Sequence, residues 1–369
     1  GAYSGDSLTT GTRNVAIGTH ALGSATTANL NVAIGQGAME SAAASVAFEG
    51  AIAIGKDTLT TLNSTDANGT IAIGHQAGMA ITVGIKNTAI GYEALKNEDD
   101  GDFNTAVGYQ ALTNQEGRSG TVNNTAVGHR AGASMTSGHD ATLVGSNAGA
   151  ALTTGMYNTF IGSNVADALT TGDYNTAVGV HALSSEDVGR GTTAIGYQAL
   201  YNQNSDSNDE STYNTAIGYE AGYSTTTAQK NTYIGWETGR TGTTAYANTT
   251  LGGFSLYQNQ VGYGNVAIGY EAGKHVTSSL NVSVGFEAGK GKTSAPYNSG
   301  EANISIGPYT NHTVSTGKRN VSIGGNSGYA METGTDNTLL GNNAGINVKH
   351  AVGATIIGGY AGRYATGSY

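Results

Sequence analysis

The sequence has no cysteine and only 2 prolines among its 369 residues. The lack of cysteine excludes a disulfide framework, a zinc site built on thiolates and a nucleophilic cysteine. Glycine is abundant, at 58 residues, but the every-third-residue period and the proline of collagen are missing. Only 11% of the residues are charged, which is too few for a solvated, disordered polymer.

Long apolar runs and clusters of basic residues are also missing. The apolar stretches are broken by glycine and fall short of the roughly 20 residues that a membrane helix needs, so we expect no membrane insertion. Sixteen basic residues stand against 26 acidic ones, for a net charge of −10. Because the lysines and arginines are scattered singly, this pattern argues against binding to nucleic acid.

The sequence does contain one short repeat that runs from end to end. Each copy carries a motif that ends in a register glycine, as in residues 87–91 (Asn-Thr-Ala-Ile-Gly), and 13 of the 19 intervals between these glycines are 17 residues long. Because the array begins and ends in mid-repeat, we expect residues 1–369 to be a single continuous segment of a longer fibre. The register glycines are Gly18, Gly35, Gly55, Gly74, Gly91, Gly108, Gly128, Gly145, Gly162, Gly179, Gly196, Gly218, Gly235, Gly252, Gly269, Gly285, Gly307, Gly324, Gly341 and Gly358.

The residues before each register glycine alternate with the period of a β-strand. The residue just before the glycine is Ile, Val or Leu in all 20 copies, and the third residue before it is Val, Ile or Thr in all 20. The residue between them is usually Ala, and the fourth residue before the glycine is Asn in 15 of 20. This alternation predicts a strand. We expect its β-branched side to be buried and its Ala side to be the place where another chain approaches.

A repeat of 17 residues is too short for a pair of helices, which needs about 30 or more, but it suffices for one β-coil of two short strands and two tight turns. Coils stacked at about 4.8 Å would pair each strand with its copy in the next coil. We therefore predict an all-β fold, a β-solenoid (parallel β-roll) of about 21 coils with like residues in columns. The predicted structural ladder includes Asn87, Ile90, Gly91, Asn104, Val107, Gly108, Asn158, Ile161, Gly162, Asn175, Val178 and Gly179, with the Asn side chains bonding turns and backbone.

The motif Asn-Thr-Ala-Ile-Gly-Tyr-Glu-Ala at residues 214–221, with close copies at 87–94 and 265–272, resembles the head repeats of trimeric autotransporter adhesins and repeats in long phage tail fibres. The resemblance covers nearly the whole chain and implies a left-handed roll that is bundled as a homotrimer. The repeat is longer than in adhesin heads, and the chain shows no heptad stalk, β-barrel anchor or signal sequence. The long uninterrupted array favours a phage fibre.

We accordingly expect a structural and adhesive segment of a phage tail fibre, in the virion or otherwise extracellular, that projects a host-receptor-binding tip. A host cell-surface glycan or protein is the expected partner. The alternatives are the head of a bacterial trimeric surface adhesin and a self-assembling extracellular filament. An ice-binding solenoid would need an exposed array of threonines, and the Val and Ile at the same position argue that this position is buried.

The residue after the register glycine is aromatic in several neighbouring repeats. If this position faces solvent, rings in adjacent coils lie about one strand spacing apart, which suits stacking on sugar faces or on an apolar partner. Alternatively, these rings pack over the turn or between chains. The candidate receptor or glycan contacts are Tyr92, Tyr109, Tyr197, Tyr219, Trp236 and Tyr270, and Phe286 occupies the same position.

No pattern of residues points to catalysis, a cofactor or a bound metal, and we expect no enzyme activity. Residues 291–293 (Gly-Lys-Thr) lack the upstream glycine of a phosphate-binding loop. The pairs His20 with His181 and His75 with His129 share repeat positions but lie many coils apart. Weak cation binding is an alternative for two acidic clusters, which lack the spaced ligands of a calcium loop and are expected to be solvated turns. These clusters comprise Glu98, Asp99, Asp100 and Asp102, and Asp206, Asp209 and Glu210.

Where the interval between register glycines lengthens to 20 or 22 residues, the extra residues must bulge from the coil, as in three stretches. The extra residues lie within 114–121, 201–211 and 291–301 and are rich in Asn, Ser, Gly or Asp. Loops on a rigid scaffold often carry recognition. We expect tolerated bulges, with receptor contact as the alternative.

Overall fold

The computed structural model describes residues 1–43, 47–63, 69–116, 120–206, 211–294 and 297–365. These residues contain no helix and form a parallel β-solenoid of about 19 turns with a repeat near 17 residues. The predicted fold class is confirmed, and the count falls below 21 because the described residues supply 20 strands to the ladder. The chain divides into two compact units, Gly1–Val178 and Gly179–Tyr369.

Unit 1 (Gly1–Val178) is built on one parallel ladder of ten short strands. Each strand pairs residue for residue with its copy, as Thr88 does with Thr105 and Ile90 with Val107. A separate pair, β6 and β8, joins residues 101–102 to residues 120–121. The strands are β1 (Val15–Ile17), β2 (Val32–Ile34), β3 (Ile52–Ile54), β4 (Ile71–Ile73), β5 (Thr88–Ile90), β6 (Gly101–Asp102), β7 (Thr105–Val107), β8 (Gly120–Thr121), β9 (Thr125–Val127), β10 (Thr142–Val144), β11 (Thr159–Ile161) and β12 (Thr176–Val178).

Unit 2 (Gly179–Tyr369) has the same design, with ten strands in its parallel ladder. Even across a 22-residue repeat the register holds, since Val282 lies opposite Ile304 and Val284 opposite Ile306. The strands are β13 (Thr193–Ile195), β14 (Thr215–Ile217), β15 (Thr232–Ile234), β16 (Thr249–Leu251), β17 (Val266–Ile268), β18 (Val282–Val284), β19 (Ile304–Ile306), β20 (Val321–Ile323), β21 (Thr338–Leu340) and β22 (Thr355–Ile357).

The second segment of each coil is a series of tight turns, so the prediction of two short strands per coil is wrong. The second and fourth residues after the register glycine have positive φ, as Glu93 (53°) and Leu95 (51°) illustrate. A left-handed residue with a Cβ atom costs roughly 1–2 kcal/mol. Bonds to the next coil offset this cost; for example, Leu95 N donates to Ala111 O at 2.9 Å.

The register glycines lie where no other residue fits. Gly91 has φ of 135°, and a Cβ atom added to it would lie 2.2 Å from the carbonyl oxygen of Gly108 in the next coil. Gly108 meets Gly128 in the same way, again at 2.2 Å. Close backbone stacking therefore requires glycine at this position wherever another coil follows; at Gly358 only the Ala361 side chain among the described residues lies nearby, at 3.7 Å.

The two sides of the strands are arranged opposite to the prediction. The middle residue of each ladder strand is buried except in β1 and β22, and Ala89 and Ala106 are both 0% exposed. The flanking side chains, including Ile90 and Val107, point outward and are half-buried or exposed, with Ile161 at 41%. The expected burial of the β-branched side is wrong, and so is the expected approach of another chain to the Ala side.

The small residue faces inward because the interior of the coil has limited volume. Where the inner strand residue is Ala106 or Ala126, the fourth residue after the preceding register glycine is Leu95 or Leu112, and all four are fully buried. Where the inner strand residue is large, that fourth residue is glycine. A Cβ atom built on the glycine would crowd the large side chain in the pairs Gly132 with Leu143 (2.7 Å), Gly149 with Phe160 (3.0 Å), Gly222 with Tyr233 (2.8 Å) and Gly328 with Leu339 (3.0 Å).

The Asn column bonds mainly to backbone, as predicted. Asn158 is fully buried; its Oδ1 accepts from Asn175 N at 2.9 Å and its Nδ2 donates to Gly172 O at 2.8 Å. Asn87 makes the same two bonds, to Asn104 N and to Gly101 O, each at 2.8 Å. Asn158 and Asn87 thus each satisfy one donor and one acceptor of the neighbouring coil, which fixes the register. Asn104 makes only the first of these bonds, because its Oδ1 accepts from Asn124 N at 3.1 Å while its Nδ2 has no partner among the described residues.

Candidate functional site

The most extensive surface feature is the outer side of the sheet. We call the outward strip the first and third residues of every ladder strand; all are Val, Ile, Leu or Thr, and none is charged. Exposed members include Val127 (37%) and Ile161 (41%) in unit 1, and Ile217 (37%) and Leu251 (47%) in unit 2. The ladder therefore presents an uncharged, largely apolar face in each unit.

The threonines of the outward strip form a column with free hydroxyl groups. In unit 1 the hydroxyls have no hydrogen-bonding partner among the described residues. The argument against an exposed threonine array is therefore wrong, since Val and Ile share an outward position with threonine. The column in unit 1 consists of Thr88, Thr105, Thr125, Thr142, Thr159 and Thr176, paired in register.

The aromatic candidates face solvent, with exposed fractions between 43% for Tyr92 and 51% for Trp236. Their rings stack mainly on one another. In unit 1, Tyr92 and Tyr109 lie 5.2 Å apart at an interplanar angle of 9°, and His75 and His129 cap the two ends at 5.1 and 5.3 Å. This column leaves ring edges and hydroxyls exposed while the ring faces between neighbours are covered.

The aromatic candidates of unit 2 fall into two groups. Tyr197 stacks on Tyr219 at 5.2 Å. Trp236 and Tyr270 both contact Phe254, at 4.6 and 6.0 Å, and Phe286 continues from Tyr270 at 5.6 Å. Contact of these residues with a receptor or glycan stays a prediction.

A second aromatic column was missed in the sequence. Tyr157 and Tyr174, each five residues before a register glycine, stack at 5.1 Å and are 46% and 59% exposed. Tyr213 occupies the same position in unit 2 and is 57% exposed. The signal was present in the sequence as recurrence at this second position.

The acidic cluster of unit 1 is organised around a buried carboxylate. Glu98 is 0% exposed; its Oε1 accepts from Gly101 N at 2.7 Å and Asp99 N at 3.1 Å, while its Oε2 has no partner. Burial raises the pKa of Glu98 to about 7, and the charges of Asp99 and Asp100 add to this effect, while the Gly101 N–H opposes it. One carboxylate oxygen of each of these three residues lies within 4.8 Å of the others.

Glu186 occupies the same repeat position in unit 2, and there both carboxylate oxygens accept hydrogen bonds from the protein. Its Oε1 accepts from Gly189 N at 2.8 Å, and its Oε2 accepts from Gln203 Nε2 at 2.9 Å and Ser205 Oγ at 3.1 Å. Both glutamates hold the turn that follows them. The expectation that Glu98 belongs to a solvated turn is wrong, because its carboxylate points inward. Asp209 and Glu210 lie outside the described residues.

The long repeats pair with the preceding coil at their ends, through bridges outside the main ladder. Residues 120–121 pair with residues 101–102, Arg190 bridges to Ser211, and Val276 bridges to Asn298. The described residues that follow 291–293 contain no helix, and Lys292 Nζ instead pairs with Glu332 Oε2 at 2.7 Å. This arrangement is not that of a phosphate-binding loop.

No membrane-spanning helix is found among the described residues. The sequence matches no protein-family model and no curated protein. Evidence for the role of the chain therefore comes from its repeat and its surfaces.

Proposed function

We propose that this chain is a structural and adhesive fibre segment that bundles with two further copies of itself through the outward strip. The observation that carries the proposal is the chemistry of the strip, which holds only Val, Ile, Leu and Thr in all twenty ladder strands. The chain has a net charge of −10, yet this face carries no charge that would repel an identical face. Its equal spacing allows one copy to match another coil by coil.

The energy of such contact depends on length. Burying a half-exposed Ile or Val contributes on the order of 1 kcal/mol, so the ten strands of one unit would contribute on the order of 10 kcal/mol from one column. Association itself costs about 4–15 kcal/mol. A bundle therefore needs contact over many coils, and three parallel copies would repeat any weak receptor contact and raise avidity.

The oligomeric state tests this proposal. Light scattering after size exclusion should give three times the chain mass for the full chain. Val127→Glu places a charge on the outward strip and should weaken the trimer, whereas Val83→Glu is a matched control at an exposed turn of the same unit, since these side chains are 37% and 43% exposed. A monomeric parent chain, or equal weakening by both variants, would refute assembly through this face.

Within this class, the biological setting that we propose is a phage tail fibre that projects a host-receptor-binding tip. The uninterrupted array favours it over the head of a bacterial adhesin. A self-assembling filament is distinguished by electron microscopy of the purified chain, because it would form rods of unlimited length instead of rods of one length.

A second candidate function, ice binding, is favoured by the outward-facing threonine column of unit 1, whose side chains are half-buried. Its hydroxyls lie in register at the strand spacing of about 4.8 Å and lack described partners. The adjacent outward column is Ile or Val rather than Thr, so the array is only half hydroxylated. Thermal hysteresis in the purified chain that is lost in Thr125→Lys would support this function, and its absence would remove it.

A further inference from the structure

Unit 2 contains a small polar pocket on the turn side of its coils. It has a volume of about 220 Å³ and is lined by Thr241, Gln258, Gln260, Thr277 and Tyr297. The first four residues come from three consecutive coils, at the sixth or eighth position after the register glycine. Pockets for drug-sized ligands measure roughly 300–1,000 Å³, so this one suits a single ring.

Tyr297 is contributed by the long repeat that follows strand β18. The chain pairs with the preceding coil at the bridge between Asn298 and Val276, where Asn298 N donates to His275 O at 3.1 Å. This places the Tyr297 ring nearly parallel to the ring of His275, at 6.2 Å and 16°, with 37% of the tyrosine exposed. The extra residues thus add an aromatic wall to an otherwise polar groove.

The amide groups of the pocket are oriented and available. His275 Nδ1 donates to Gln258 Oε1 at 2.7 Å, which leaves Gln258 Nε2 without a partner among the described residues. The backbone carbonyl of Gln260 accepts from Thr243 N and Thr244 N, each at 3.0 Å, while its exposed side-chain amide has no described partner. Together these side chains supply both donors and acceptors to a ligand.

Among the described residues, the lysines near the pocket are paired and leave no free charge that would select an ion. Lys274 pairs with Glu271 at 2.7 Å, and Lys290 pairs with both Glu271 and Glu287. Burial lowers the pKa of His275 to about 4, and the charges of Lys274 and Lys290 add to this effect. The imidazole beneath Tyr297 is therefore neutral at physiological pH, and a neutral, hydroxyl-rich ligand fits this setting best.

We propose that this pocket binds one pyranose ring of a neutral saccharide. Gln258 and Gln260 hydrogen-bond its hydroxyls, the two threonine oxygens accept from others, and Tyr297 contacts its apolar face. The site deepens the proposed adhesive role and takes its biological meaning from that role. The pocket lies within unit 2 and does not require the bundle for binding.

Saturation-transfer-difference NMR on the full chain tests the site with the methyl α-pyranosides of glucose, galactose and mannose, and with methyl glucuronide as the anionic comparison. We expect at least one neutral glycoside to bind more tightly than the glucuronide. Gln260→Ala and Tyr297→Ala should each weaken its binding at least fivefold. Tyr263→Ala is the matched control, because Tyr263 is exposed (51%) and does not line the pocket.

Circular dichroism establishes that each variant keeps its fold. Absence of saturation by any neutral glycoside, preference for the glucuronide, or equal weakening by the Tyr263 and Tyr297 variants would overturn the site. Light scattering on the same samples separates the two proposals: a trimer that binds no glycoside refutes only the pocket, and a monomer that binds one refutes only the bundle.

Discussion

Replacing Phe160 by alanine should open a cavity in the interior of unit 1, and replacing Gly149 by leucine should refill it. Both positions face the inside of the coil, where a Cβ atom on Gly149 would lie 3.0 Å from Phe160 Cδ2. Leucine is compatible with the backbone at this repeat position, because Leu112 has φ of 49° where Gly149 has 55°. The double variant therefore recreates the Leu-and-Ala arrangement of other coils.

The size of each effect follows from volume and backbone strain. Phe160→Ala alone should cost roughly 3–5 kcal/mol. Gly149→Leu alone should cost roughly 1–3 kcal/mol by overpacking and a further 1–2 kcal/mol or so from the left-handed backbone. In the double variant the leucine occupies the space left by the ring, so its total cost should fall below the sum by about 2–3 kcal/mol, near the upper end for residues in contact.

Hydrogen exchange measures this cycle locally, which matters because unfolding of a long repeat array is not two-state. Amides of residues 149–162 should be exposed by each single change and partly protected again in the double variant. Combining Phe160→Ala with Gly78→Leu gives a matched control, since a Cβ atom on Gly78 would lie against Leu59 and Ile81 instead. The costs of these two changes should add. Additivity within about 0.5 kcal/mol for the Gly149 pair as well would refute the volume argument.

Two further predictions concern a buried charge and a register glycine. Because the folded pKa of Glu98, about 7, lies above its ordinary value of 4.5, its stabilising contribution is complete below pH 4.5 and is lost as the pH rises towards 7. Glu98→Gln should therefore leave the free energy of local opening unchanged at pH 4 and raise it by up to roughly 3 kcal/mol at pH 8. Glu186→Gln turns an amide towards the donors of Gln203 and Ser205, so it should destabilise the turn at both pH values. A Glu98 variant whose effect does not change with pH would contradict the reasoning. Gly108→Ala should lower the thermal midpoint more than Gly50→Ala, because only the former meets a carbonyl oxygen, at 2.2 Å; equal midpoints would contradict this.

The ladder and its register could be predicted because residues one repeat apart in the sequence are paired in neighbouring coils of the structure. Thr88 lies opposite Thr105, and Asn87 accepts from Asn104, since each coil bonds to the residue one repeat away. A local period therefore specified long-range contacts. The turns after the register glycine could not be predicted, because left-handed Glu93 and Leu95 are ordinary helix- or strand-compatible residue types. Their conformation is imposed by bonds to neighbouring coils.

The inner side of the strand could not be read from alternation alone, since alternation defines two sides without ranking them. Hydrophobicity suggested that the larger residues lie inside, but the opposite wall, occupied by Leu95 or Leu112, leaves room only for alanine. The sequence did hold a signal. In the coil where Phe160 takes the place of alanine, glycine (Gly149) takes the place of leucine. The pocket at Tyr297 had no comparable signal, because its residues come from different coils and from a repeat of unusual length.

The contrast between two outward-facing columns supports a partner for the outward strip. The position after the register glycine also faces outward, and it varies freely among polar, charged and apolar types, as the exposed residues Gln36, Lys56 and Val180 illustrate. The outward strip lies in the same coils, yet each of its forty positions is Val, Ile, Leu or Thr. Solvent alone would tolerate Lys or Glu on a strand surface, and β-propensity alone would admit Tyr or Phe. A restriction to compact apolar and threonine side chains is explained by close contact with another surface along the whole ladder, which is the condition that a bundle of identical chains imposes.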